Sequence, residues 1–243
     1  MRYIKKQDRT PSIISDWVND RQKLGLSVKY EYFNKKKELN DILRAEQHCI
    51  CCYCQRNVTH YAPNYNPLYS KKGGAHNEHL YPENIPNDSI SQSKQMEYTN
   101  LFACCVDSQG HKKREKHLRY CGEAKGNRII REFIKEEECQ SYFQYLSTGE
   151  IAPKGRYFTL KEYEEAEMLT KDEQDALDTI RVLNLNCHTL VEERKTCLAK
   201  LLELMPKRSK DEWQQTINTW LSADILPPYI ELRLQYLTKY LSA

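Results

Sequence analysis

Glycine is scarce, 8 residues in 243, and no segment recurs at a fixed period. That excludes collagen-like, linker-like and solenoid architectures. Long apolar runs are missing too. No stretch approaches the ~18 uninterrupted apolar residues of a membrane span, and no signal-like apolar core follows Met1-Arg2-Tyr3-Ile4-Lys5-Lys6. The expected location is therefore the cytoplasm, with no membrane partner. Neither sign of charge dominates: 37 Lys and Arg face 34 Asp and Glu, a net +3. With 40% apolar residues, 29% charged residues and 17 Tyr, the chain reads as folded and soluble. Its length suits one large domain, or a small module with a substantial second one.

What the chain does have is uneven. Up to Lys135 there are 24 basic against 15 acidic residues, and beyond it 13 against 19. The first part is the one suited to a polyanion. Nine cations fall between Lys112 and Lys135, interleaved with His117, Tyr120 and Phe133. Such a stretch would serve as a phosphate-contacting surface, although a solvated face has the same composition. Ten cysteines are present, seven of them between Cys49 and Cys121. Without a secretory signal this clustering points to a metal rather than to disulfides. Cys139, Cys187 and Cys197 lie apart, in helix-like sequence, and are expected to pack as small apolar residues.

The organisation follows from periodicity. Thr10-Pro11 opens a helix carrying Ile13, Ile14, Trp17 and Val18, and a second helix is predicted from Lys37 to Gln47, with Leu39, Ile42 and Leu43 on one face. These make an N-terminal helical lead, residues 1–47. From His48 to Lys135 the periodicity collapses and turn formers recur (Gly73-Gly74, Pro82, Pro86-Asn87-Asp88, Gly110), as in a loop-rich, ligand-held module over 48–135. Residues 136–243 read as an acidic helical bundle. Capping boxes at Thr170/Glu173 and Ser209/Glu212 open two of its helices, Pro206 stops a third that begins near His188, and a fourth follows Pro227-Pro228.

The chemistry lies in the middle segment. In Cys51-Cys52-Tyr53-Cys54 the two-residue spacer of a Cys-x-x-Cys turn folds both sulfurs to one side, where they can meet a tetrahedral zinc. Cys105 and Cys121 can complete the set, with a basic insertion from Val106 to Tyr120 between them. Spacing leaves Cys49, Cys52 and Cys104 as competitors. Four thiolates around a dication carry net negative charge, so nearby Lys and Arg would be stabilising. Glu78-His79 supplies a carboxylate for a hard divalent ion and an imidazole able to take a proton near pH 7. A bend before Pro82 would aim both inward. Asn100 could then orient the imidazole. Together these suit a one-metal phosphodiesterase, with basic residues holding the nucleic-acid backbone.

The order Cys-x-x-Cys, Glu-His, Asn-Leu, Cys, Cys-x-x-x-Lys-Gly-Asn resembles the HNH endonuclease superfamily. More closely, Cys-Cys-Tyr-Cys-Gln-Arg, Asn-Glu-His-Leu-Tyr-Pro and Tyr-Thr-Asn-Leu-Phe-Ala-Cys-Cys resemble the PtuB-type HNH nucleases of Septu and retron anti-phage systems, over Cys51 to Asn127. The resemblance implies an α+β fold, a small ββα-metal module flanked by the N-terminal helices and the C-terminal bundle. It implies His79 as general base, Glu78 as ligand of the catalytic ion (Mg2+ or another divalent cation), and Asn100 in the middle-Asn position. It also selects Cys51, Cys54 and Cys105, with Cys121, as ligands of a structural Zn2+.

In HNH motifs the last metal-binding residue commonly follows the final Cys, and here that place is Gly122. Glu123 or Asn127, or His111 or His117 from the insertion, would have to substitute. The resemblance further implies a PtuA-type ATPase partner, with a retron reverse transcriptase and its msDNA as further candidates, and the acidic C-terminal region offers a docking face. Within the insertion, Lys112, Lys113, Arg114, Lys116 and Arg119 are the expected contacts to DNA or RNA. The competing expectation is a zinc-stabilised nucleic-acid-binding or adaptor subunit without catalysis.

Overall fold

The computed structural model describes residues 1–62, 73–106, 118–155 and 157–243. The chain is mixed α+β. Helix α1 (Ser12–Lys23) begins directly after Pro11, which makes no side-chain cap, and α2 (Lys36–Glu46) buries Leu39, Asn40 and Leu43. Strand β1 (His60–Tyr61) pairs in parallel with β2 (Gly74–His79), and β2 pairs antiparallel with β3 (Leu101–Cys105) in the order β1-β2-β3. The β2–β3 register sets His76 opposite Cys104, Glu78 opposite Phe102 and His79 opposite Leu101. Every residue of β3 is buried although it is an edge strand of this sheet, so both of its faces are covered by other parts of the chain. Between the strands lies the short α3 (Ser89–Ser93), capped by the Asp88 side chain, and after β3 comes α4 (Cys121–Lys125).

The C-terminal part has the helices that periodicity predicts, but not helices alone. A hairpin, β4 (Phe143–Tyr145) and β5 (Ile151–Pro153), precedes its helices. Three-residue strands give too few alternations to register as a period-2 signal. Their turn contains Gly149 at φ +82, whose carbonyl accepts from the buried Arg194 guanidinium at 2.5 Å. Helices α5 (Leu160–Glu165), α6 (Lys171–Val182), α7 (His188–Leu204), α8 (Lys210–Ser222) and α9 (Ile230–Ser242) follow. The boxes at Thr170/Glu173 and Ser209/Glu212 are formed, with a third at Thr159/Glu162. No helix of the described residues is long and apolar enough to cross a membrane.

The three segments 1–47, 48–135 and 136–243 share one apolar core. Met1, Ile4, Leu39 and Leu43 pack with Tyr53, Phe102 and Phe133, and with Ile180, Leu198 and Leu232. The boundaries drawn from composition mark changes of chemistry, and packing runs straight across them.

Candidate metal centre

Cys51 to Cys54 occupy a tight reversal held by main-chain bonds from Cys51 N to the Arg56 carbonyl (2.8 Å) and from Gln55 N to the Cys51 carbonyl (3.1 Å), with Gln55 at φ +64. Gln47, at the end of α2, fastens this knuckle to β3. Its Nε2 donates to the carbonyls of Ile50 (2.9 Å) and Ala103 (2.8 Å), and its Oε1 accepts from Ala103 N (2.7 Å). One amide thus replaces a missing strand partner. From the other side, Gln55 receives Tyr229 N on its carbonyl (3.0 Å) and Glu231 N on Oε1 (3.1 Å), which seats the start of α9 on the knuckle.

The result is a cluster of thiols. The sulfurs of Cys51, Cys54, Cys105 and Cys121 lie within 4.8 Å of one another, all buried. Cys54 and Cys105 are 3.6 Å apart, close to the roughly 3.8 Å edge of a tetrahedron with 2.3 Å zinc–sulfur bonds. All ten cysteines are free thiols, so the donors fit a metal ion such as zinc. Cys51 is held well below the ordinary thiol range: burial opposes its ionisation, but Cys104, Cys105, Cys121 and Cys52 around its sulfur prevail. Burial holds Cys54 and Cys121 well above it. The cation expected beside the cluster is Arg56, which ion-pairs with Glu193 at 2.7 Å and bonds the Tyr120 hydroxyl. A cleft of about 620 Å³ lined by Arg56, Thr59, Cys105, Glu193, Tyr229 and Arg233 opens beside it. None of Glu78, His79 and Asn100 lines that cleft.

Cys104 and Cys52 stand next to this set. Cys104 is 3.9 Å from Cys51 and accepts from Gly122 N at 3.4 Å. It also groups with His76 and Glu78. Cys49 is half-buried and joins no such group among the described residues.

Glu78 is buried and its two oxygens are used differently. Oε1 accepts from the Tyr53 hydroxyl (3.1 Å) and pairs with the Lys125 ammonium (3.0 Å), while Oε2 lies 3.1 Å from His76 Nε2. Burial would raise its pKa, but the His76 hydrogen bond and the Lys125 charge prevail and hold it down at about 2. The carboxylate is ionised in place. The same ammonium donates to the His79 carbonyl at 2.9 Å.

The His79 side chain goes the other way. β2 is regular through its last residue, so Glu78 and His79 point to opposite faces, and no bend before Pro82 brings them together. The imidazole packs edge-on against Tyr30, ring centroids 4.6 Å apart, with Nε2 2.9 Å from the Gln95 carbonyl and Nδ1 3.8 Å from Glu83. Because a carbonyl only accepts, Nε2 carries the proton and Nδ1 the lone pair. Burial lowers its pKa, keeping the ring neutral at pH 7.

Asn100 does not touch that ring. Its amide accepts from Tyr81 N (2.7 Å) and donates to the carbonyls of Tyr81 (3.0 Å) and Lys94 (3.1 Å). It braces the loop after β2 and the turn that carries Gln95, and so reaches the imidazole only through backbone. Of the substitutes for residue 122, Glu123 faces Arg119 at 3.5 Å and Asn127 donates to the Asn84 carbonyl at 2.8 Å. His111 and His117 lie outside the described residues, as do Lys112, Lys113, Arg114 and Lys116. Arg119 is half-buried beside α4.

His76 escaped the sequence reading. Its signal was available: two residues before Glu78 on a strand is the same face, whereas the adjacent His79 is not. Lys125 and Gln47 left no comparable trace, because neither a buried ammonium nor a main-chain-mimicking amide has a periodic pattern. No protein-family model matches the chain, and no curated protein matches it.

Proposed function

We propose that the chain is a metal-dependent endonuclease of HNH type, cleaving phosphodiester bonds of DNA or RNA as the effector of a Septu- or retron-like anti-phage system and governed by an ATPase partner. The observation that carries this is Glu78. A buried carboxylate kept ionised beside His76 and Cys104, one residue before a neutral, lowered-pKa histidine, is more than a purely structural thiol cluster needs. The ββα-metal description and the structural role of zinc at Cys51, Cys54, Cys105 and Cys121 belong to the same proposal.

In this reading a water oxygen attacks phosphorus while its proton passes to Nδ1 of His79, and the bond to the leaving oxygen breaks with its electron pair. That oxygen is reprotonated from solvent. The divalent ion, when bound, supplies positive charge to the crowded phosphate. Gln95 fixes the tautomer, Tyr30 fixes the ring plane, and Lys125 keeps Glu78 ionised and ties it to the backbone of His79. The basic residues of the insertion would hold the nucleic-acid backbone, and the acidic C-terminal half would face the ATPase.

A specific observation favours a second reading. The His79 ring and the Glu78 carboxylate lie on opposite faces of β2, and Lys125 already neutralises one Glu78 oxygen. A non-catalytic, zinc-stabilised nucleic-acid-binding or adaptor subunit needs no common face. His79→Ala decides between them. Incubated with plasmid DNA, single-stranded DNA or tRNA and a divalent ion, the variant should lose ~10²- to 10⁴-fold in cleavage at unchanged zinc content. Cleavage by the variant at the wild-type rate would remove His79 from catalysis, and no cleavage by the zinc-loaded wild type would hand the site to the second reading.

A further inference from the structure

In the pattern the chain resembles, residue 122 would carry the last metal-ligating side chain, and it is glycine. The space is not vacant. A Cβ at Gly122 would sit 2.9 Å from Glu78 Cδ and 3.1 Å from His76 Nε2, so the volume such a side chain needs is filled from β2 instead. His76 and Glu78 share a face of that strand, and Cys104 lies directly across from His76 on β3. One donor atom from each of the three falls within 4.8 Å of the others. The Gly122 N–H donates to the Cys104 sulfur at 3.4 Å, the kind of main-chain bond that steadies a ligating thiolate. Tyr53 and Lys125 are on Oε1 of Glu78, which leaves Oε2 facing His76.

We propose that His76, Glu78 and Cys104 hold a second divalent ion, on the face of β2 opposite the His79 ring, with His76 standing in for the ligand that residue 122 lacks, and that the ion is zinc rather than magnesium. A catalytic role for it rests on the nuclease reading above; the site itself does not. Imidazole, carboxylate and thiolate together suit a borderline-soft transition metal, whereas magnesium seeks an octahedron of oxygens and keeps its waters. Three protein donors are also the number found where zinc keeps a coordination position open. Cys104 is available because Cys51, Cys54, Cys105 and Cys121 form a complete foursome without it. The chain would then carry two zinc ions, one closed by four sulfurs and one open.

The test counts metal. Full-length protein is saturated with Zn2+ under reducing conditions, desalted and analysed for zinc per chain. Wild type should retain two ions, and His76→Ala and Cys104→Ser one each, with unchanged circular dichroism. His76 is 18% exposed at its side chain, against a fully buried Cys104, so its truncation is the milder change and decides the matter even where Cys104→Ser fails to fold. Loaded with Co2+, wild type minus His76→Ala should leave a difference spectrum with single-thiolate charge transfer. One zinc in wild type, or two in His76→Ala, overturns the proposal. Two zinc ions without cleavage would sink the nuclease reading and leave the site standing. Cleavage with one zinc, indifferent to His76→Ala, would do the reverse.

Discussion

Gly122→Ala is a sharp probe of the centre, because two ordinary effects oppose one another there. Gly122 sits in the first turn of α4 with a backbone that any residue adopts, so alanine should stabilise the helix by ~1 kcal/mol. The added methyl, however, overlaps Glu78 Oε2 and lies 2.9 Å from Cδ. Overpacking of that kind costs ~1–3 kcal/mol. The carboxylate cannot swing away freely, since Oε1 is held by Tyr53 and by a Lys125 ammonium only 2% exposed, and separating a buried pair costs up to ~3–5 kcal/mol. The net expectation is a loss of about 2–5 kcal/mol, read as a fall in the urea midpoint of zinc-saturated protein at unchanged slope, about 1 M or more. In a Glu78→Ala background the methyl has room, and the same substitution should become nearly neutral or favourable. A Gly122→Ala protein as stable as wild type, or a penalty that persists without the Glu78 carboxylate, would refute the account of this contact.

Cys121→Ser should lose one zinc and the cooperative unfolding transition together, since a structural site of four thiolates contributes ~10 kcal/mol or more, whereas Cys49→Ser should keep full zinc content and the wild-type midpoint. Gln47→Ala leaves the N–H and carbonyl of Ala103 without their side-chain partner, so a loss of ~2–3 kcal/mol is expected in chemical denaturation. His79 has a folded pKa below its unfolded 6.5, so the unfolded chain takes up the proton first and stability falls as pH drops from 6.5 toward the folded value. His79→Gln should flatten that slope in urea titrations between pH 5 and 7. Replacing Lys112, Lys113 and Arg114 together should reduce the salt dependence of nucleic-acid binding by ~0.7 to 0.9 in log–log slope per lost contact, and an unchanged slope would locate the phosphates elsewhere.

Local signals were the legible ones. Thr170/Glu173 and Ser209/Glu212 announced their helices because a capping box is complete within four residues, and Leu39 and Leu43 marked α2 because one helical face is enough to state its period. Cys51, Cys54, Cys105 and Cys121 were named but not separable by spacing from Cys49, Cys52 and Cys104; strand alternation turns Cys105 to the foursome and Cys104 toward His76 and Glu78, Cys121 joins from the left-handed start of α4 at φ +56, and Cys52 still groups with Cys51 and Cys104. The same alternation divides His79 from Glu78 and joins His76 to it, which adjacency in sequence conceals. Lys125, Gln47 and Tyr30 became visible only when chain segments tens of residues apart were brought together, and the hairpin β4–β5 was too short for any period to show.

The seat of α9 on the cysteine knuckle sets a timetable for biosynthesis. Gln55 accepts from Glu231, 176 positions further on, and Asn57 donates to the Leu226 carbonyl at 3.1 Å. On a ribosome the first pair of thiols therefore emerges long before the helix that braces it, and before Cys121, at ~5–20 residues per second. For roughly 9 to 35 s the nascent chain displays an unfinished loop of oxidisable, metal-binding thiols. Premature release anywhere ahead of Tyr229 would leave a fragment able to scavenge zinc yet lacking the brace that holds its knuckle in register.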